Sequence, residues 1–181
     1  PGGLFDNALT AHNKFGYIQL PFPVPNPSFE ETVRHILGLT ERQFRSILSG
    51  EEELPAELQK RLQKANLKKS ASTRQSMTGP EAIEAALASY SWDDVQAEAD
   101  RLMAKGTKTH RPKAIKLMRA ARGFSRNNVK PSELMIKRVP VIPTKFRPFS
   151  VVGDAFAPGD ANELYRDLLQ IIDSHKSLST E

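Results

Sequence analysis

A one-sided block of positive charge is the strongest constraint that this sequence places on its fold. Residues 101–150 hold 14 Lys and Arg but a single acid, Glu133, so the block carries +13 in a chain of net charge +5. The other 131 residues therefore carry −8. Because ionised side chains are rarely buried unless they are paired, this block has to present its basic side chains on a surface. It predicts a surface that faces a polyanion such as nucleic acid, with a solvated basic face as the alternative.

Composition excludes several classes of protein. The chain has no cysteine and only four scattered histidines among its 181 residues. A disulfide scaffold and a thiolate zinc site are therefore excluded, and we predict no metal in this chain and no effect of chelators. The apolar runs are too short for a membrane-spanning helix, and the first residues lack the regions of a signal peptide. These features predict an intracellular protein without a membrane partner.

Helical spacing of apolar residues dominates the middle of the chain. Thr40 to Gln43 fits a capping box, Ser91 fits a second N-cap, and Gly106 is placed to end the helix that follows it. The spacing predicts six helices, which begin near Phe29, Thr40, Pro55, Gly79, Ser91 and Pro112.

The helix that begins at Pro112 lies inside the basic block. We expect its inward face to carry Ile115, Met118 and Ala121, and we expect Gly123 to end it. The opposite face is expected to carry four basic residues, Lys113, Lys116, Arg119 and Arg122. Its positive charge continues into Arg126, Lys130, Lys137 and Arg138, which favours a ligand over solvent alone.

The remaining segments have extended or loop character. Residues 15–20 predict a short strand, and a proline at every second position from 21 to 27 predicts an extended edge segment. Residues 134–142 are β-prone, 143–148 form a stiff basic loop, and 151–156 suggest a turn between short extended pieces. A polar loop is expected at 68–76.

The predicted fold class is mainly α with short β segments, an irregular α+β arrangement. We divide it into an extended segment (1–28), a helical region (29–130), a strand plus loop (131–158) and the start of a final helix (159–181).

No motif in the sequence supports catalysis. There is no Gly-rich phosphate loop, no paired-His metal helix and no cysteine nucleophile. The adjacent acids Asp93 and Asp94 are explained by the first turn of a helix, where carboxylates complement the helix dipole. We therefore expect no catalytic residue in this chain.

Five motifs resemble one protein family. Residues 137–148, K-R-V-P-V-I-P-T-K-F-R-P, resemble the V-x-P-V-I-P-P-x-L-R-P segment of the largest subunit (β′) of multisubunit DNA-directed RNA polymerases. Residues 159–166, G-D-A-N-E-L-Y-R, resemble S-D-L-N-D-L-Y-R-R, and 128–136, N-V-K-P-S-E-L-M-I, resemble G-N-K-P-E-W-M-I-L. Residues 78–83, T-G-P-E-A-I, resemble M-G-A-E-A-V, and 15–24, F-G-Y-I-Q-L-P-F-P-V, resemble M-G-H-I-E-L-A-x-P-V. The five matches follow the family's order across nearly the whole chain.

The resemblance implies the clamp portion of β′, which holds DNA and the RNA–DNA hybrid. Residues 15–24 would be the zipper, 78–124 the helical part of the clamp, and 143–158 the lid that helps to separate the transcript at the upstream edge. Residues from 160 onward would begin the clamp coiled coil, whose tip docks an initiation factor. The nucleic-acid-binding residues would be Tyr17, Arg119, Arg122, Arg126, Lys137, Arg138, Lys145, Phe146 and Arg147.

The resemblance also implies partners. The catalytic motif N-A-D-F-D-G-D is absent here, so Mg²⁺ is expected in a partner catalytic subunit, alongside β-like and remaining β′-like chains. The zinc ribbon usual beside the zipper is missing as well. A missing ribbon and a split large subunit together suggest a large bacteriophage polymerase, which acts in the cytoplasm of a bacterial host or is packaged in the virion.

Two other interpretations remain. Gly38 to Gln43 followed by a second helix resembles the helix-turn-helix of a stand-alone DNA-binding regulator, in which Arg42 and Arg45 would set the sequence preference. Against this, the basic block lies elsewhere and residues 51–53 are three glutamates. The third interpretation is a helical interaction scaffold whose charge serves only solubility.

Overall fold

The computed structural model describes residues 15–67, 77–147, 150–152, 155–157 and 159–178. Within these ranges the chain forms seven α-helices and four short β-strands, which confirms the predicted mainly α fold class. The predicted polar loop at 68–76 lies outside them. The chain divides into two compact units, one formed by residues 22–136 and the other by the described parts of 1–21 and 137–181. The four-segment division given above stays a prediction.

Six helices build the unit of residues 22–136. One cluster of buried apolar side chains joins all six, with Phe44, Ile83 and Leu117 among the most deeply buried. No helix in the described ranges is long and apolar enough to cross a membrane. The six are α1 (Glu30–Leu37), α2 (Glu41–Leu48), α3 (Ala56–Leu67), α4 (Gly79–Ala88), α5 (Trp92–Lys105) and α6 (His110–Arg126).

The ends of the helices follow local capping chemistry. At the start of α2, the Thr40 hydroxyl accepts a hydrogen bond from the Gln43 backbone N–H (3.3 Å), and the Gln43 side chain accepts one from the Thr40 N–H (3.1 Å). Ser91 and Asp94 form the same reciprocal pair at the start of α5. Gly106 ends α5 in the left-handed conformation (φ 67°) that glycine adopts without strain. These three predictions are confirmed.

Two predictions about α6 are wrong. Ile115 is 40% exposed and does not face inward, whereas Ala121 is buried and Met118 packs against the core as predicted; the buried stripe consists of Ala114, Leu117 and Ala121. The helix also continues through Gly123 to Arg126. The stripe is set by packing against the neighbouring helices, where small side chains allow a close approach. Since Gly123 is helical and has open space around it, nothing at that position terminates the helix.

An aromatic cluster holds the last turn of α6. The Phe124 ring stacks on Trp92 (centroids 5.3 Å apart, planes at 17°) and meets Phe29 edge to face at 5.1 Å. The Trp92 indole N–H donates a hydrogen bond to the Val129 carbonyl. These contacts compensate for the low helix propensity of the glycine one residue earlier.

Strands and one long helix make up the rest of the described chain. β1 (Gly16–Pro25) pairs with β2 (Met135–Val141), so the strand predicted to stop at Leu20 continues through the prolines. A two-stranded sheet tolerates prolines because each strand has an unpaired side. β3 (Ser150–Val152) pairs antiparallel with β4 (Ala155–Ala157), which confirms the predicted short extended pieces. The final helix is α7 (Asp160–Leu178).

We expect Thr40→Ala to lower the free energy of unfolding by about 1 kcal/mol, because it removes the capping box of α2. Thr109→Ala is the matched control, since Thr109 precedes α6 without making a side-chain cap hydrogen bond. Urea unfolding followed by circular dichroism measures both. Equal effects of the two substitutions would contradict the role of the capping box.

Candidate nucleic-acid interface

Four exposed arginines form a strip along α6, which we call the arginine row. The side chains at 111, 119, 122 and 126, with Ile115 between the first two, lie within an arc of about 80°, since an α-helix turns by about 100° per residue. The strip is about 22 Å long at a rise of ~1.5 Å per residue. The row consists of Arg111, Arg119, Arg122 and Arg126.

The arginine row does not serve internal ion pairing. None of its four side chains has a hydrogen bond or an ion pair with any other described residue. The first turn of α6 contains no acid, although acids there would stabilise the helix. The cations Arg111 and Lys113 occupy that turn instead. This part of α6 therefore carries positive charge at some cost to its own stability.

The predicted basic face is divided in the structure. Lys116 points to α1, where its ammonium contacts both carboxylate oxygens of Glu31 at 2.6 Å. This hydrogen bond holds the pKa of Glu31 below its usual value. Lys113 is half-buried and lines a cavity. Of the four basic residues predicted to share one face of this helix, only Arg119 and Arg122 lie in the arginine row. The prediction is therefore wrong for Lys113 and Lys116.

His35 lies near these lysines in an environment that disfavours its charged form. Burial lowers its pKa, and the nearby Lys113 ammonium lowers it further. Its Nδ1 atom is buried with no hydrogen-bond partner, and its Nε2 atom lies 3.9 Å from Glu31. The imidazole is therefore held neutral at neutral pH.

A second group of predicted residues meets on β1 and β2. The Arg138 guanidinium lies over the Tyr17 ring, 4.8 Å from its centroid, and its Nε donates to the Gln19 side chain at 3.1 Å. Gln19 in turn donates to the Lys137 carbonyl at 3.1 Å. Tyr17 is 62% exposed, and Phe15, two residues earlier, is also exposed. An exposed aromatic ring beside a fixed arginine is suited to stacking with an unpaired base.

The third group lies in the loop after β2. Phe146 is 68% exposed in a 3₁₀ turn (Thr144–Phe146), as a ring available for stacking has to be. Arg147 instead folds back onto its own loop: its Nε donates to the Ile142 carbonyl at 2.7 Å, and its Nη1 donates to the Asn162 side chain. The structure does not describe the side chain of Lys145. Residues 148, 149, 153, 154 and 158 of the predicted lid also lie outside the described ranges.

Asn162 and Tyr165 of α7 were missed as site residues by the sequence analysis. The Tyr165 hydroxyl accepts a hydrogen bond from the Ile142 N–H (3.1 Å) and donates one to the Pro140 carbonyl (3.2 Å). The Arg147 guanidinium lies 5.6 Å from the centroid of its ring. Together with Asn162, Tyr165 fastens the loop to the start of α7. Their only sequence signal was membership of the G-D-A-N-E-L-Y-R motif.

The helix-turn-helix interpretation has a local counterpart in the structure. A turn of three residues, led by Gly38 in the left-handed conformation (φ 68°), joins α1 to α2. On the exposed side of α2, however, Arg45 is ion-paired to Glu41 at 2.7 Å. Arg42 is thus left as the unpaired cation among the described side chains of this helix. Within the described ranges no cluster of His, Asp and Glu is arranged to hold a metal ion.

Comparison with known proteins relates this chain to RNA polymerase. No family model matches it. The DNA-directed RNA polymerase subunit β′ of Deinococcus radiodurans is 32% identical over 104 residues, which cover 57% of this chain and 7% of that protein. The corresponding subunit of Acetivibrio thermocellus is 32% identical over 92 residues (50% and 8%), and that of Thermus aquaticus is 33% identical over 92 residues (50% and 6%).

About half of this chain is a β′-like region. The resemblance that the five motifs predicted is thus confirmed at this level. The matched segment covers no more than 8% of the length of any of the three relatives.

The loop after β2 offers a direct test of the Tyr165 contacts. We expect Tyr165→Phe to make the Ile142 amide exchange its hydrogen about tenfold faster, because it removes the hydroxyl to which that amide is bound. Hydrogen exchange followed by NMR measures this change. Tyr17→Phe is the control, since the Tyr17 hydroxyl has no described partner. Unchanged exchange at Ile142 would show that the hydroxyl does not hold the loop.

The pKa shift at His35 predicts acid sensitivity. The unfolded chain takes up a proton near the usual pKa of 6.5, whereas the folded chain resists it, so the free energy of unfolding falls as pH falls through 6.5. Glu31 and Asp94 have lowered pKa values and contribute only at more acidic pH. Urea unfolding at pH 7.5 and 5.5 therefore isolates the histidine. We expect His35→Gln to reduce this dependence, and an unaltered dependence would assign it to other groups.

Proposed function

We propose that this chain is a noncatalytic clamp segment of a multisubunit DNA-directed RNA polymerase, and that it holds DNA and the RNA–DNA hybrid through phosphate contacts. The observation that carries this proposal is the arginine row: four exposed guanidinium groups, without partners among the described residues, on one strip of a helix. The β′-like region of the same chain supports it. The proposal assigns the chemistry of nucleotide addition to another subunit.

The dimensions of the arginine row fit a nucleic-acid backbone. One strand of duplex DNA places a phosphate every ~3.4 Å along its axis, so a strip of about 22 Å spans roughly six of them. Arginine is suited to this role because its planar guanidinium donates two parallel hydrogen bonds to one phosphate. Contacts of this kind fix a duplex without selecting its sequence, as a transcribing enzyme requires.

The exposed aromatic residues act on unpaired bases in this proposal. Tyr17, with Arg138 over its ring, supplies a platform on which a displaced base stacks. Phe146 projects from the loop that Arg147, Asn162 and Tyr165 fasten to α7, and it acts as part of the lid at the upstream edge. Lys137 and Lys145 are further phosphate-contacting residues in this proposal. Arg147 acts mainly by keeping the loop in place.

The proposed setting includes further chains. β-like and remaining β′-like subunits complete the enzyme, one of them carries the catalytic Mg²⁺, and an initiation factor docks at the coiled coil that α7 begins. The bacteriophage origin and the location in a bacterial host stay part of this hypothesis.

We expect a triple substitution in the arginine row, Arg119→Gln with Arg122→Gln and Arg126→Gln, to weaken binding of duplex DNA and of an RNA–DNA hybrid. The slope of log K against log salt concentration is negative, and each lost phosphate contact reduces its magnitude by about 0.9 for a duplex. The magnitude of the slope should therefore fall by about 2 to 3, equally for unrelated sequences. Fluorescence anisotropy over a range of salt concentrations measures it.

The control variant carries the same loss of charge elsewhere: Arg42→Gln, Arg45→Gln and Lys105→Gln. It should leave the salt slope and the affinity close to those of the parent chain. If the control alone weakens binding, and does so for one sequence only, the chain is a helix-turn-helix regulator that uses α2. If neither variant changes binding, the arginine row is a solvated face.

A further inference from the structure

A cavity of about 780 Å³ lies within the unit of residues 22–136, on the opposite flank of α6 from the arginine row. It is lined by residues of α1, α3, α5 and α6, together with Gln43 of α2. On α3 the lining residues include Lys60 and Lys64, which are one helical turn apart, and on α6 they include Lys113. Its volume is within the range of sites that hold small molecules in proteins.

The charges that line this cavity do not cancel. Asp94 is paired with Arg61 at 2.7 Å, and Glu98 is paired with Arg101 at 2.9 Å. Once these pairs are set aside, three lysines face one remaining acid, Glu57. None of the three lysines has a hydrogen bond or an ion pair with another described residue. The cavity therefore keeps an excess of about two positive charges.

Lys113 is the most deeply buried of the three lysines. Burial lowers the pKa of its ammonium, Glu98 opposes that effect, and Arg34 adds to it. A partly desolvated ammonium without an acceptor costs free energy that a bound anion would recover. His35, which also lines the cavity, is held neutral, so the excess positive charge of the cavity comes from the lysines.

We infer that this cavity binds a short polyphosphate group, either inorganic triphosphate or the phosphates of a nucleoside triphosphate. Three lysines that line one cavity match the clustered charge of such a group. A nucleic-acid backbone carries only one charge per phosphate and follows an open surface such as the arginine row. The inference is independent of the proposed function, because no residue of the row lines the cavity.

Isothermal titration calorimetry on the whole chain tests this site, with inorganic triphosphate and ATP as separate probes. We expect saturable binding of one equivalent of inorganic triphosphate, made at least about tenfold weaker by Lys60→Gln with Lys64→Gln, since each charge-assisted hydrogen bond contributes strongly. Both lysines are exposed, so this variant should fold, and Lys113→Gln adds a variant on the opposite wall. Equal affinity for the two probes assigns the site to the phosphates alone. Tighter binding of ATP assigns it to a nucleotide.

The control variant is Lys105→Gln with Lys108→Gln, which removes two exposed lysines outside the cavity and should leave binding unchanged. An equal loss in the two double variants, or no saturable binding by the parent chain, would overturn the inference. The triple variant of the arginine row separates this inference from the proposed function. This variant should bind nucleic acid more weakly and bind triphosphate as tightly as the parent chain does. A loss of triphosphate binding in this variant would also overturn the inference.

Discussion

The rotation of α6 about its own axis is the constraint on which the rest of the structure depends. This helix has to bury one narrow stripe, Ala114, Leu117 and Ala121, between flanks that are rich in Lys and Arg. Two of the three buried residues are alanines, so the helix can lie close to its neighbours only in that orientation. A rotation by one residue, about 100°, would bring basic side chains into the core, where an unpaired charge is very costly.

Once this rotation is fixed, the basic residues of α6 take three different roles. The arginines of the row face outward, Lys116 reaches Glu31 on α1, and Lys113 turns toward the cavity. One amphipathic helix thus supplies an exposed strip of arginines, an internal ion pair and a half-buried ammonium without a hydrogen bond or ion pair among the described residues. The spacing of the residues along the helix determines the role of each.

The parts of this fold that could be predicted from sequence are those that depend on neighbouring residues. Thr40 and Ser91 bond to the backbone three residues later, so their sequence context was sufficient. The phase of α6 was not predictable in this way, because Ile115 and Leu117 are equally apolar and only the packing partners select between them. Gly123 similarly predicted a helix end, whereas the contacts of Phe124 with Trp92 and Phe29 hold the helix together beyond it.

The candidate site, like the fold, could be predicted from the sequence only in part. Composition was enough to predict that a basic surface exists and which segment carries it. It could not show that Arg147 would be engaged by Asn162, which lies 15 residues further along the chain, while Arg119, Arg122 and Arg126 have no hydrogen bond or ion pair with any described residue. Such a distinction depends on contacts between distant residues, and those are decided by the folded chain.

The aromatic cluster at the end of α6 has an optical consequence. Trp92 is the single tryptophan of the chain, and it stacks on Phe124, in the same stretch of helix as Arg122 and Arg126. Indole emission is sensitive to nearby charge and to small changes in ring geometry. The tryptophan emission of this protein therefore comes from a single ring at the end of α6, and it reports the packing of the helix turn that also carries Arg122 and Arg126.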